Sequence, residues 1–156
     1  MTQHYSGKKA AEIVGITYRQ LDYWARTDLM RPTVDAEGSG SRRQYSYRDL
    51  LELKVIKQLL DAGISLQSAR KALDVLRQSG DDVATANLVL SGNKSVLARD
   101  DGQLVDLLKG GQGVLNIVLP MAGVVEELDA DIRKLERPER ADAATGSRQA
   151  AAGGRG

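Results

Sequence analysis

At 156 residues with 42% hydrophobic content, the chain has material for one ordinary domain or for two small ones that share surface. The absence of cysteine and the single histidine exclude disulfides, thiolate chemistry and zinc sites built from Cys or clustered His, and fit a reducing cytoplasm. Net charge is only +1, but residues 1–80 hold 13 Lys+Arg against 9 Asp+Glu and the remainder 9 against 12, so the front half is the basic half.

No apolar run approaches the ~20 residues that span a bilayer, and the N-terminus lacks the apolar core of a signal peptide. A soluble, cytoplasmic chain without a membrane partner is the expectation. Capping residues followed by apolar spacing predict four helices within residues 1–80. Ser6 caps a first helix that runs to Val14 and stops at Gly15. Thr17 caps a second, from Tyr18 to about Thr27. Two helices joined by a tight glycine turn form the helix-turn-helix pattern.

From Arg31 to Tyr45 the pattern changes. Pro32 blocks helix, Glu37-Gly38-Ser39-Gly40-Ser41 favours a turn, and Arg42 to Tyr47 alternates toward extended structure, which together read as a β-hairpin wing. Ser46 caps a third helix, Tyr47 to Ala62, whose Leu51, Leu53, Val55, Ile56, Leu59 and Leu60 cover most of its circumference. Such a helix belongs at the centre of the lobe. Gly63 ends it, and Ser65 caps a fourth helix with a Leu66, Ala69, Leu73 and Leu76 stripe, ending at Ser79-Gly80.

Beyond Gly80, Asn87 to Leu90 and Ser95 to Ala98 read as short strands joined by a Gly/Asn turn. A short helix follows from Asp101 to Lys109, stopped by Gly110-Gly111. Val114 to Leu119 is a β-branched run ending at Pro120 and reads as a strand. A last helix spans about Met121 to Leu135. The expected fold is mainly α: a winged helix-turn-helix over 1–80, a small α/β dimerisation or effector lobe over 81–137, and a disordered tail over 138–156, where little can be buried.

The second helix carries the functional argument. On a wheel of ~100° per residue with Tyr18 at zero, Asp22, Arg26 and Arg19 fall near ~40°, ~80° and ~100°, while Trp24 and Leu21 fall near ~240° and ~300°. One side is polar and the other is core. A major groove admits a helix that offers Arg to guanine edges and Arg or Tyr to phosphates. An ordinary amphipathic surface helix accounts for the same face pattern. The next segment favours double-stranded DNA as the partner, because Arg42 and Arg43 sit beside Gly38-Ser39-Gly40, where cations can approach phosphates or the minor groove.

Residues Ile16 to Met30 resemble the MerR family of transcriptional regulators in the stretch after the glycine turn: a Ser/Thr cap, Arg, Leu, an aromatic pair, Arg and a closing pair of large apolar residues. The resemblance continues through Pro32, Arg43-Gln44-Tyr45, Asp49-Leu50-Leu51 and Gly63-Ile64-Ser65-Leu66. It is most similar to the actinobacterial FtsR-like branch, through the Arg19 to Arg26 helix and a tail lobe with Gly110-Gly111-Gln112-Gly113. The resemblance implies DNA contacts from Thr17, Tyr18, Arg19, Tyr23 and Arg26 and, in the wing, from Arg42 and Arg43. Tyr45 is expected to reach the DNA backbone or brace the wing, and Trp24, Leu29 and Leu53 to pack. Asp22 departs from the family, where many members carry Arg. An intrahelical ion pair with Arg19 or Arg26 is its expected role, with acceptance from a cytosine amine as the alternative.

The family further implies a homodimer on an inverted-repeat promoter operator, which distorts the DNA and so changes its contacts with RNA polymerase. Many members dimerise through a long helix directly after the head, and none is evident there. The candidate seam is the Val124, Leu128, Ile132 and Leu135 stripe of the last helix, which could equally pack on its own lobe. Two rival functions remain. Lys109-Gly110-Gly111-Gln112-Gly113 could be a phosphate-cradling loop of a ligand or nucleotide sensor, although it lacks the Gly-Lys-Ser/Thr ending of a P-loop. An excisionase-like or architectural DNA-binding protein could use the same head. No catalytic cluster, metal or cofactor is expected.

Overall fold

A computed structural model of the chain describes residues 4–30, 43–91, 94–110 and 116–136. The wing segment 31–42, the tail 137–156 and the glycine-rich residues 111–115 lie outside the described residues, and with them the hairpin, the disordered tail, Arg42 and most of the phosphate-loop candidate.

The elements run β1 (His4–Ser6), α1 (Gly7–Val14), α2 (Tyr18–Arg26), β2 (Gln44–Ser46), α3 (Tyr47–Asp61), α4 (Leu66–Arg77), a 3-10 turn (Asp81–Thr85), β3 (Asn87–Ser91), β4 (Lys94–Ala98), α5 (Asp101–Gly110), β5 (Asn116–Pro120) and α6 (Met121–Glu136). The first four helices begin where their capping side chains put them. Ser6, Thr17 and Ser65 each accept a hydrogen bond from the backbone N–H three residues on. At α3 the cap is reciprocal: the Asp49 N–H donates to Ser46 Oγ while the Ser46 N–H donates to Asp49 Oδ2.

Between α1 and α2 the chain needs a left-handed residue, and Gly15 supplies it at φ 89°. Asp28 does the same after α2 at φ 63°, a conformation that Asp tolerates better than most side chains. The reversal carries Leu29 and Met30 inward, where both are buried. Leu50, Leu53, Val55, Ile56 and Leu59 of α3 are buried as its all-round apolar sequence requires, and Leu60 is only partly covered. A polar brace accompanies them: Arg77 of α4 donates to the buried Glu52 at 3.0 Å and to the Leu29 carbonyl at 3.1 Å. It ties α3 and α4 to the end of α2.

Two short antiparallel strands, β1 and β2, pair Tyr5 with Tyr45. β1 is too short to be foreseen from the sequence, which places the strand containing Tyr45 in a wing hairpin; among the described residues its partner is the segment just before α1. Farther along, β4, β3 and β5 form an antiparallel sheet with β3 in the middle. Leu88, Leu90 and Leu97 of this sheet join the same hydrophobic core as α1, α3 and α4.

The last helix takes up one of the two roles its stripe left open. α6 lies across α1 and α3, with Val124 and Leu128 buried in the common core and Ile132 and Leu135 packed against it. The stripe offered as a dimer seam therefore faces its own chain. Polar contacts reinforce the packing: Tyr47 donates to Asp129 at 2.7 Å, and Lys54 Nζ lies 2.7 Å from Asp131 and 3.7 Å from Glu127. Among the described residues no helix is long and apolar enough to cross a membrane.

Candidate nucleic-acid interface

The amphipathic wheel of α2 becomes a fixed orientation once its apolar side is packed. Leu21 and Trp24 are buried, which anchors the helix along one edge. Thr17, Tyr18, Arg19, Gln20, Tyr23 and Arg26 are exposed on the other. Tyr18 and Tyr23 are each 50% exposed. Their hydroxyls and the guanidinium groups of Arg19 and Arg26 give this face donors for base edges and phosphates.

Asp22 stands within this polar face and engages two arginines. Its Oδ2 accepts from Arg26 Nε at 2.9 Å, one helical turn away, and its Oδ1 accepts from Arg43 Nη1 at 2.5 Å. The first contact is the intrahelical pair anticipated from the sequence. The second, between residues far apart in the chain, was not. Hydrogen bonding to Arg43 is the largest influence on the Asp22 carboxyl; burial opposes it, and the attraction and hydrogen bond of Arg26 add to it, so the carboxyl is held below the usual carboxylate range.

Two further residues of the expected set sit off this exposed face. Tyr45 is buried at 1% exposure, paired with Tyr5 of β1 and packed in the core, so of its two expected roles contact with the DNA backbone is closed to it. Burial pushes its hydroxyl up to about 12. The Arg43 side chain is only 16% exposed and lies against α2 through Asp22, rather than standing out as a loop cation. Arg42 lies outside the described residues.

Gly7, at the start of α1, was not singled out by the sequence reading. A Cβ at this position would sit 2.9 Å from Cε1 of Tyr18. The bare backbone of α1 is therefore the shelf on which the Tyr18 ring rests. A glycine in the first turn of an otherwise good helix was the available signal, since alanine would serve the helix better.

The sequence of residues 5–76 matches the family described as MerR HTH family regulatory protein. This segment is a MerR-family helix-turn-helix domain. Uncharacterized HTH-type transcriptional regulators of Mycobacterium bovis and Mycobacterium tuberculosis are each 49% identical to the chain over 140 residues, or 88% of this chain and 61% of theirs. The chain thus spans about three-fifths of the length of these curated relatives. Looser likenesses among solved structures include a MerR-family transcriptional regulator from Bacillus cereus, at 13% identity and a TM-score of 0.43, covering 96% of this chain and 88% of that one. Another is HiNmlR, a MerR family regulator lacking the sensor domain, bound to promoter DNA, at 16% identity and a TM-score of 0.42, covering 93% and 92% of the two chains.

Proposed function

We propose that the chain is a sequence-specific DNA-binding transcriptional regulator that uses α2 as its recognition helix. The observation that carries this reading is the exposed face of α2, where Tyr18, Arg19, Tyr23 and Arg26 stand together on a helix fixed by Leu21 and Trp24. The extended match to relatives named as HTH-type transcriptional regulators supports it. Arg19 and Arg26 would address base edges, Tyr18 and Tyr23 the flanking phosphates, and Arg42 the backbone beside the wing.

A homodimer on an inverted repeat is the matching assembly, because two heads on adjacent half-sites multiply affinity. With Val124 and Leu128 committed to the core, the dimer contact would use another surface. Bending and untwisting the promoter costs a few kcal/mol, to be repaid by added helix and wing contacts, and this distortion would alter how RNA polymerase engages the site.

Selection of genomic fragments by the purified full chain at near-physiological salt, followed by sequencing, tests the proposal. Recovery of an inverted repeat near promoters supports a dimeric regulator. Retention without a shared motif favours an architectural DNA-binding protein, and no retention overturns DNA binding.

A further inference from the structure

The carboxylate in the middle of the α2 reading face poses a physical problem. DNA binding gains from every cation near a phosphate, and an acid on the same face repels the backbone and occupies cations that could otherwise bind it. Asp22 engages two, and they differ. Arg43 is drawn in against α2 and left 16% exposed, whereas Arg26 stays 63% exposed and, among the described residues, is held through its Nε. Arginine has five N–H donors in a rigid fork, so a partner on Nε leaves both terminal nitrogens of Arg26 for a bidentate contact. Arg43 immediately precedes β2, so the same carboxylate fastens the start of β2 to α2.

We propose that Asp22 is a specificity-determining positioning residue: it withdraws Arg43 from the phosphates and fixes Arg26 for base readout. The proposal rests on the DNA-binding reading above and deepens it. Phosphate attraction is blind to sequence, and withdrawing one cation from it weakens binding to every duplex alike. Fixing the fork of Arg26 favours only the duplexes whose base edges meet it. Both effects widen the gap between preferred and arbitrary DNA. The depressed carboxyl of Asp22 is consistent with a group that stays ionised beside its two partners.

The test compares the full wild-type chain with Asp22→Ala and Asp22→Asn on two probes: a random-sequence duplex and the fragment the wild type retains most strongly. Binding is measured from about 50 to about 200 mM salt, with thermal melting recorded in parallel. Release of Arg43 is expected to tighten random-duplex binding by Asp22→Ala several-fold at the low-salt end. The slope of log affinity against log salt should steepen by about one, the contribution of one added phosphate contact. The ratio of preferred to random binding should fall, with Asp22→Asn, which keeps an acceptor without the charge, in between.

A purely structural role for Asp22 would lower the melting temperature and weaken both duplexes together, with no steeper slope. That result, or an unchanged slope and ratio, overturns the proposal. Should Asp22→Ala fail to fold, the near-isosteric Asp22→Asn carries the same comparison. A wild type that retains no duplex overturns the DNA-binding reading itself, and one that binds without preference overturns the specificity role alone.

Discussion

Replacing Gly7 with Ala sets the stability of α1 against the geometry of the reading face. An alanine inside a helix is favoured over glycine by roughly 0.5–1 kcal/mol, because the chain loses less conformational freedom on folding. The added Cβ would stand 2.9 Å from Tyr18 Cε1 and 3.7 Å from Cδ1 and Cζ. Since carbon atoms settle at about 3.5–4.0 Å, the ring must retreat by about 0.6 Å or more. Tyr18 is half exposed, so it can swing toward solvent without disturbing Leu21 or Trp24 beneath it.

Stability should therefore hold or rise by up to about 1 kcal/mol, a shift of some 2–4 °C in Tm for a chain of this size. DNA affinity should fall, because one hydrogen bond from the Tyr18 hydroxyl contributes about 0.5–1.5 kcal/mol, or about two- to tenfold in Kd. Thermal melting and fluorescence-anisotropy titration with the preferred fragment read the two effects separately. In a Tyr18→Ala background, Gly7→Ala should leave affinity unchanged. An affinity that survives Gly7→Ala in the wild type, or a loss of equal size in the Tyr18→Ala background, would refute a role acting through the tyrosine ring.

Arg19→Ala should remove a base-edge contact, cost about 1–3 kcal/mol and relax preference at one position in each half-site, as read by selection from a randomised operator library. An unchanged preference removes Arg19 from the reading set. Leu128→Ala should destabilise the chain by about 2–5 kcal/mol, because its side chain is fully buried in the shared core. A variant that melts like its parent but loses self-association would return α6 to the role of dimer seam. Burial holds the Tyr45 hydroxyl at about 12, above the ordinary tyrosine value of 10.0. Its contribution to stability is fully present below pH 10 and is lost as pH rises through about 12. Tyrosinate absorbance followed against far-UV circular dichroism checks this, and ionisation of Tyr45 near pH 10 in the still-folded chain would contradict its burial.

Much of the secondary structure was legible because its determinants are local. A Ser or Thr three residues before a backbone N–H can cap a helix whatever surrounds it, and Ser6, Thr17, Ser46 and Ser65 all do so. The two faces of α2 follow from helical periodicity alone, which is why the exposure of Tyr18, Arg19, Tyr23 and Arg26 is legible in the sequence. Apolar residues around the whole circumference of α3 likewise required a central helix.

What the sequence left open depended on residues distant along the chain. Three-residue β1 is too short to show alternation and becomes a strand only because β2 pairs with it. The α6 stripe has the same spacing whether it meets a second copy or its own core, and its packing against α1 and α3 decides between them. Asp22 had a partner at helical spacing in Arg26, but Arg43 reaches it only through the folded path of the chain, and that path also buries Tyr45 and sets Gly7 beneath Tyr18. Local hydrogen bonding and periodicity thus determined the helices and their faces. Tertiary packing decided which cations remain exposed, because that depends on pairings for which the sequence carries no periodic signal.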